Sequence, residues 1–403
     1  MTDPKKRKLI FTILGGLALY LASTGLSYAA FRYLGGPATG LISPIPLEES
    51  RLRIDPTAPK TEACPLIGKM FTKEEKDIWE KRRPLTVMIE NHAEARPQSG
   101  LSRADIVYEA VAEGGITRFL AVYYCGGSAQ DILIGPVRSA RIYYVDFASE
   151  YGDSPLYVHI GGANDFSGSG DTHPKARALE QIQSYGWGRY NDIDHASITA
   201  KESTYEDSSL TFWRDYERLP GVATEHTMYS TTDKLWWIAE GRGLTNVDEE
   251  GDSWDEVFVS WKFKEEAGSN ERGDVDDIKF NFWGGYGEYG VNWQYNKESN
   301  EYLRYNGGQP HKDKNNDEQL KTKTVIVQFM QERGSIDRNK HILYTTTGTG
   351  NALVFQDGQA IKATWSKAKR ESRTIFKAGG KEIELNPGPI WIEIVPTHQD
   401  VEY

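Results

Sequence analysis

Arg103-Ala104-Asp105-Ile106-Val107-Tyr108-Glu109-Ala110-Val111-Ala112-Glu113-Gly114-Gly115-Ile116-Thr117-Arg118-Phe119 alternates, turns at a Gly pair and alternates again. Asp105 to Ala112 and Ile116 to Tyr124 carry the period-two pattern of strands, and Glu113-Gly114-Gly115 reads as the turn of a hairpin. A helix over Ser102 to Glu113 would also be amphipathic, but the Val, Ile and Tyr content favours the pleated form. In a regular strand Glu109 and Glu113 share a face, with Val111 between them. Two acids on an otherwise core-like face must pair with Arg, bind a metal or do acid/base work. Arg118, just across the turn, is the expected partner. Paired carboxyls about 5–10 Å apart also serve glycosidases, and an ordinary Arg–Glu pair looks identical in sequence.

Outward from the hairpin the choice of cation is unusual. From Pro84 to Pro174 there is no Lys, while Arg96, Arg103, Arg118, Arg138 and Arg141 all fall in that window. Arg is preferred to Lys where a planar fork meets a carboxylate or phosphate away from water. Gly135-Pro136-Val137-Arg138-Ser139-Ala140-Arg141 reads as a loop opening a helix that runs to about Tyr151, with Pro136 at its first position. Arg138 and Arg141 would then share a face near the helix amino terminus and, with Ser139 and free backbone N–H groups, form an anion cradle. The alternative is that Asp146, Glu109 or Glu113 neutralises them in a buried network. Leu156 to Ile160 reads as a strand, and His159 sits at its end beside Gly161-Gly162. The expected anion-binding set is Arg96, Ser99, Glu109, Glu113, Arg118, Arg138, Ser139, Arg141 and His159. No His-Glu-x-x-His, Cys/His ligand spacing, Walker motif or dinucleotide motif is present, so no metal and no cofactor is expected.

The net charge of -11 argues against nucleic acid as a partner. Lys5-Lys6-Arg7-Lys8 precedes an uncharged run from Leu9 to Phe31, 23 residues, enough to cross a bilayer as a helix. The basic cluster stays cytoplasmic under the positive-inside rule, which places the rest of the chain outside. Ser27-Tyr28-Ala29 offers a signal-peptidase site as the competing reading. A stretch holding Pro37, Pro44, Pro46, Pro56 and Pro59 reads as a tether. Cys64 and Cys125 either form one disulfide, as an exported chain permits, or are two separate buried thiols. Thr72 to Lys81 reads as a helix capped by Thr72, and Pro174 to Ser184 and Thr232 to Glu240 read as two more. Beyond about Glu250 hairpin signals replace helix signals, the strongest being Ala352 to Phe355, Asp357-Gly358 and Ala360 to Trp365. The expected fold class is α+β: a cytoplasmic tip and one transmembrane helix (1–34), a tether (35–63), a mixed α/β-containing domain (64–248) and a mostly antiparallel β domain (249–403).

Several stretches together carry a resemblance: Arg96-Pro97-Gln98-Ser99-Gly100-Leu101-Ser102, Ala104 to Glu109, Glu113 to Phe119 and Gly135 to Arg141. Tyr157 to Gly162, Phe212-Trp213-Arg214-Asp215, Gln309-Pro310-His311, Gly348 to Gly358, Thr364-Trp365 and Pro387 to Ile392 continue it. Over roughly Pro84 to Pro396 the chain resembles the YerB family of bacterial lipoproteins. The resemblance implies an exported, membrane-anchored protein of two domains, from a family mainly of unknown function. The chain departs from the family at the anchor, with an apolar run in place of an acylated Cys. The functional expectation is a single-pass cell-membrane protein whose outer part binds an anionic cell-wall ligand or regulates an envelope enzyme. The alternative is a hydrolase of cell-wall glycan or peptide with Glu109 or Glu113 as acid/base.

Overall fold

The hairpin lies in the middle of an eleven-stranded sheet. The structure is a computed structural model, and it describes residues 55, 57–206 and 208–403. In chain order the strands are β1 (Leu85–Glu90), β2 (Ile106–Glu113), β3 (Ile116–Tyr123), β4 (Leu156–His159) and β5 (Asp192–Asp194). The later half supplies β6 (Thr324–Met330), β7 (Gly348–Gln356), β8 (Gln359–Lys367), β9 (Ile375–Ala378), β10 (Lys381–Glu382) and β11 (Ile390–Pro396). Across the sheet they run β10-β9-β8-β7-β6-β11-β2-β3-β1-β4-β5. The final strand β11 therefore sits between the halves, parallel to β6 on one side and to β2 on the other. That parallel pairing qualifies the expectation of a mostly antiparallel second half. Outside the sheet helices are few and short.

The hairpin turns where expected. Gly114 and Gly115 both have positive φ, 55° and 85°, which a two-residue turn of this hand needs and a Cβ would disfavour. The ladder then departs from the regular strand. Val111 faces Thr117, but Glu113 faces Ile116, so Ala112 is an extra residue with no partner. One added residue moves a side chain to the other face of the sheet. Glu109 and Glu113 therefore point to opposite faces, correcting the shared face read from their spacing.

One face packs on a second sheet, of Asp277–Phe280, Val291–Asn296, Glu301–Asn306 and two short strands. Trp293 of that sheet meets Trp391 of β11 edge to face at 5.2 Å. The other face packs on the helix Ile142–Ala148, whose Tyr143, Tyr144, Val145 and Phe147 are buried. Phe147 stacks on Tyr108 at 5.1 Å, and the Tyr144 hydroxyl donates to the Arg118 carbonyl at 2.5 Å.

That helix begins at Ile142, not at Pro136. Residues 135–138 are extended because strand-like partners on both sides use their backbone groups. Ser99 N donates to Gly135 O at 2.8 Å, Glu90 N to Pro136 O at 2.9 Å, Val137 N to Met228 O at 2.8 Å and Arg138 N to Met88 O at 2.9 Å. No Cβ fits at Gly135, where it would lie 2.6 Å from the Tyr229 ring. Arg141 is the residue just before the helix, so it and Arg138 do not share a helical turn. Thr72 caps Lys73–Trp79 with a reciprocal Glu75 contact, and the long hairpin β7–β8 forms through Gln356 and Gln359. Cys64 and Cys125 form a disulfide. The expected membrane helix falls outside the described residues, and among those described no helix is long and apolar enough to cross a membrane.

Candidate functional site

The ends of β1, β2 and β4 and the start of β3 gather at one edge of the sheet, and the segment 135–141 crosses them. Arg118, at the start of β3, is fully buried and stands opposite Glu90 in the ladder, with Nε 4.0 Å from that carboxylate. Its Nη2 donates to Glu113 Oε1 at 2.5 Å and its Nη1 to the Ser139 carbonyl at 3.1 Å. Glu113 Oε2 accepts from Arg141 through Nε at 3.1 Å and through Nη2. Arg138 Nε pairs with Glu90 Oε2. Glu90 Oε1 in turn accepts from the backbone N–H groups of Asn91 and His92 at 3.1 and 3.2 Å.

Three guanidiniums thus face two carboxylates in direct contact, one positive charge in excess before the exposed Glu225 near Arg138 is counted. Arg138 carries it toward solvent: its side chain is 25% exposed, and its Nη atoms have no hydrogen-bond partner among the described residues. Burial raises the Glu113 carboxyl, but Arg118 and Arg141 outweigh it and hold the group down at about 2. Such a carboxylate stays ionised and is a poor general acid. The structure thus supplies the neutralised network as well as an opening to it. Glu113 and Glu90 are the neutralising acids; Asp146 instead accepts from Thr346 at 2.7 Å.

Glu109 belongs to a different place. On the opposite face it meets Arg304 of the second sheet through Nη2, while Arg304 Nη1 donates to Glu393 Oε1 at 2.6 Å. All three side chains are fully buried. Asn91 and Thr117 donate to Glu109 at 3.0 and 2.5 Å, and Trp293 Nε1 donates to Glu393 at 2.9 Å. Arg304 Nε donates to His311 Nδ1 at 3.0 Å, and its guanidinium lies 4.6 Å from the centre of the Trp391 ring. Glu109 and Glu393 are directly opposite in neighbouring strands, a repulsive placement if both are charged. Burial and the Glu109 charge push the Glu393 carboxyl up to about 8, against the pull of Arg304. One guanidinium therefore serves two acids, and burial favours the protonated form of Glu393.

His159 is fully buried, its Nε2 on Asp192 Oδ1 at 2.7 Å and its Nδ1 on the Gly161 carbonyl at 2.8 Å. Burial opposes its charge, but Asp192 and Asp194 prevail and raise its pKa. It braces β4 against β5 and does not reach the opening. Arg96 clamps Asn91 and donates to the Glu288 carbonyl at 2.7 Å, tying the first half to the second. The Ser99 hydroxyl accepts from Arg218 at 2.8 Å. Of the nine expected residues, Glu113, Arg118, Arg138, Ser139 and Arg141 come together; Glu109, His159, Arg96 and Ser99 serve other contacts.

The matching family models are the N-terminal and C-terminal domains of "Protein of unknown function (DUF3048)", over residues 70–245 and 278–392. A relative from Bacillus subtilis (strain 168), "Putative lipoprotein YerB", is 30% identical over 345 residues, 84% of this chain and 88% of its own. The chain belongs to the DUF3048 family. A crystal structure of YerB protein from Bacillus subtilis superposes with a TM-score of 0.64 at 25% identity, covering 85% of this chain and 100% of that one. The resemblance carried by the hairpin and Gly-Pro-Val-Arg-Ser-Ala-Arg motifs is thereby shown, and both family segments contribute strands to the one large sheet.

Glu90, Arg304 and Glu393 are the members of these networks that spacing did not disclose. Glu393 had a signal: an acid inside the apolar run Ile390-Trp391-Ile392-Glu393-Ile394-Val395 must be paired or protonated. Its partner lies on another sheet, so no local pattern names it.

Proposed function

We propose that this protein is a non-enzymatic module of the cell envelope, anchored by an N-terminal membrane helix and binding an anionic ligand at the opening beside Arg138, Arg141 and Glu113. The ligand class is a carboxylate- or phosphate-bearing envelope polymer, such as peptidoglycan stem peptides or an anionic glycan. The observation that carries this reading is the excess of one guanidinium over the carboxylates in direct contact there, with Arg138 one-quarter exposed. The Cys64–Cys125 disulfide supports an oxidising compartment outside the cytoplasm, and the relative's printed name supports membrane association. A hydrolase using Glu109 or Glu113 is disfavoured: the first is enclosed by Arg304 and the second is held ionised by two Arg. The test is calorimetric titration of the full chain with muropeptides and with anionic envelope polymers. Saturable binding that is abolished in the Arg138→Ala, Arg141→Ala double variant supports the site, and binding that survives both changes removes it.

A further inference from the structure

Behind Arg138, the segment that follows β1 and the 3-10 turn Thr224–His226 bring together His92, Glu94 and His226. One donor atom from each lies within 4.8 Å of the others. His226 is the informative member. Its side chain is only 6% exposed, yet its Nδ1 is buried without a hydrogen-bond partner among the described residues. A buried ring nitrogen without a partner is costly, and a small shift of the ring toward Glu90, such as a ligand bound at Nε2 could fix, would relieve it. Nε2 faces Glu94 Oε2 at 3.9 Å, and the ring stacks on His92 at 4.7 Å. Nδ1 faces Glu90 Oε2 at 3.7 Å. Glu90 is thus placed as the outer carboxylate that commonly orients a metal-bound imidazole.

We propose that His92, Glu94 and His226 form a three-ligand site for a divalent transition metal, with Glu90 orienting His226 from behind. Two imidazoles and one carboxylate suit zinc and its neighbours in the series, and they leave a coordination position open toward solvent. Metal–nitrogen bonds of about 2.0–2.1 Å require the donors to draw closer than they stand here. Glu94, 56% exposed, can swing inward, and His92 can tilt from the stack by releasing a long 3.3 Å bond from Glu94 N to its Nδ1. His92 and His226 lie far apart in sequence, which is why no ligand spacing marked them.

The site shares Glu90 with the Arg138 network, but it is tested without the proposed anion. The full chain, free of affinity tags and stripped with a chelator, is titrated with Zn2+ by calorimetry and with Co2+ by visible absorption. The expected result is one equivalent bound, with the intense visible bands of a tetrahedral cobalt site. Glu94→Gln, at an exposed position that leaves folding intact, should weaken binding about tenfold or more, and His226→Ala should abolish it. Glu90→Gln should weaken it about 10–100-fold, the usual effect of losing an outer carboxylate. His195→Ala, outside the trio, should leave it unchanged. Absence of stoichiometric binding, or binding equal in the parent and in Glu94→Gln and His92→Ala, overturns the proposal. Either result leaves the anion reading to its own titration.

Discussion

Two Arg–Glu networks hang from the same hairpin, on opposite faces of one sheet, and their charge balances are opposite. Around Arg304 one cation serves two acids, Glu109 and Glu393, in full burial. Around Arg118, Arg138 and Arg141 three cations serve two acids, Glu113 and Glu90, and the edge is open to water. The first offsets its shortage by favouring the protonated form of Glu393, and its three charged side chains are fully buried. The second has positive charge left over at a surface. Residue types alone do not separate a buried structural lock from a network that meets solvent; stoichiometry and access do.

Breaking the inner network should have the largest effect. Arg304→Met leaves two buried carboxyls without their cation, and losing one partner of a buried pair costs roughly 3–5 kcal/mol. Urea unfolding at neutral pH should show that loss; a change below about 1 kcal/mol would mean the acids are relieved some other way.

The two networks should also respond to pH in opposite senses. Glu393 has a folded pKa of about 8 against an ordinary 4.5, so its contribution is complete below pH 4.5 and is lost as pH rises through 8. The loss across that window is on the order of 3 kcal/mol once relaxation around a buried group is allowed for. Glu393→Gln should flatten the fall of stability between those limits, measured as unfolding free energy against pH. Glu113, held near 2, contributes fully above pH 4.5 and loses that contribution as pH falls toward 2. Glu113→Gln should remove part of the acid-side decline and leave the alkaline side unchanged. If both variants altered the same limb, the contrast between the networks would fail.

The smallest effect on stability is expected at Arg138. A partly exposed ion pair contributes about 0–1 kcal/mol, so Arg138→Ala should hardly move the melting temperature. It should nonetheless weaken anion binding more than any other single change at the opening, read by the same calorimetry.

Much of the frame was legible in the sequence, because it rests on local signals. The period-two runs on either side of Gly114-Gly115, the Thr72 cap and the Asp357-Gly358 turn each decide their own conformation. The misplaced helix start at Pro136 has a different cause: Gly135 to Arg138 are held extended by Met88, Ser99 and Met228, partners that no window of sequence contains. The bulge at Ala112 was equally hidden. A single unpaired residue leaves the alternation almost intact while sending Glu113 to the far face. The site divided accordingly. Arg118 with Glu113 could be read across a turn, whereas Arg304 with Glu109 needed the second sheet in place.

The position of β11 sets the order in which this molecule can be made. Ile390–Pro396 pairs with Ile106 to Glu109 on one side and with Thr324–Met330 on the other, yet it follows both of them in the chain. Until it emerges, two strand edges stand unpaired and Arg304 has met only one of its two acids. A chain that stops short of Ile390 keeps both edges bare, the condition under which sheets recruit one another. The centre of the sheet therefore closes only when β11 is in place.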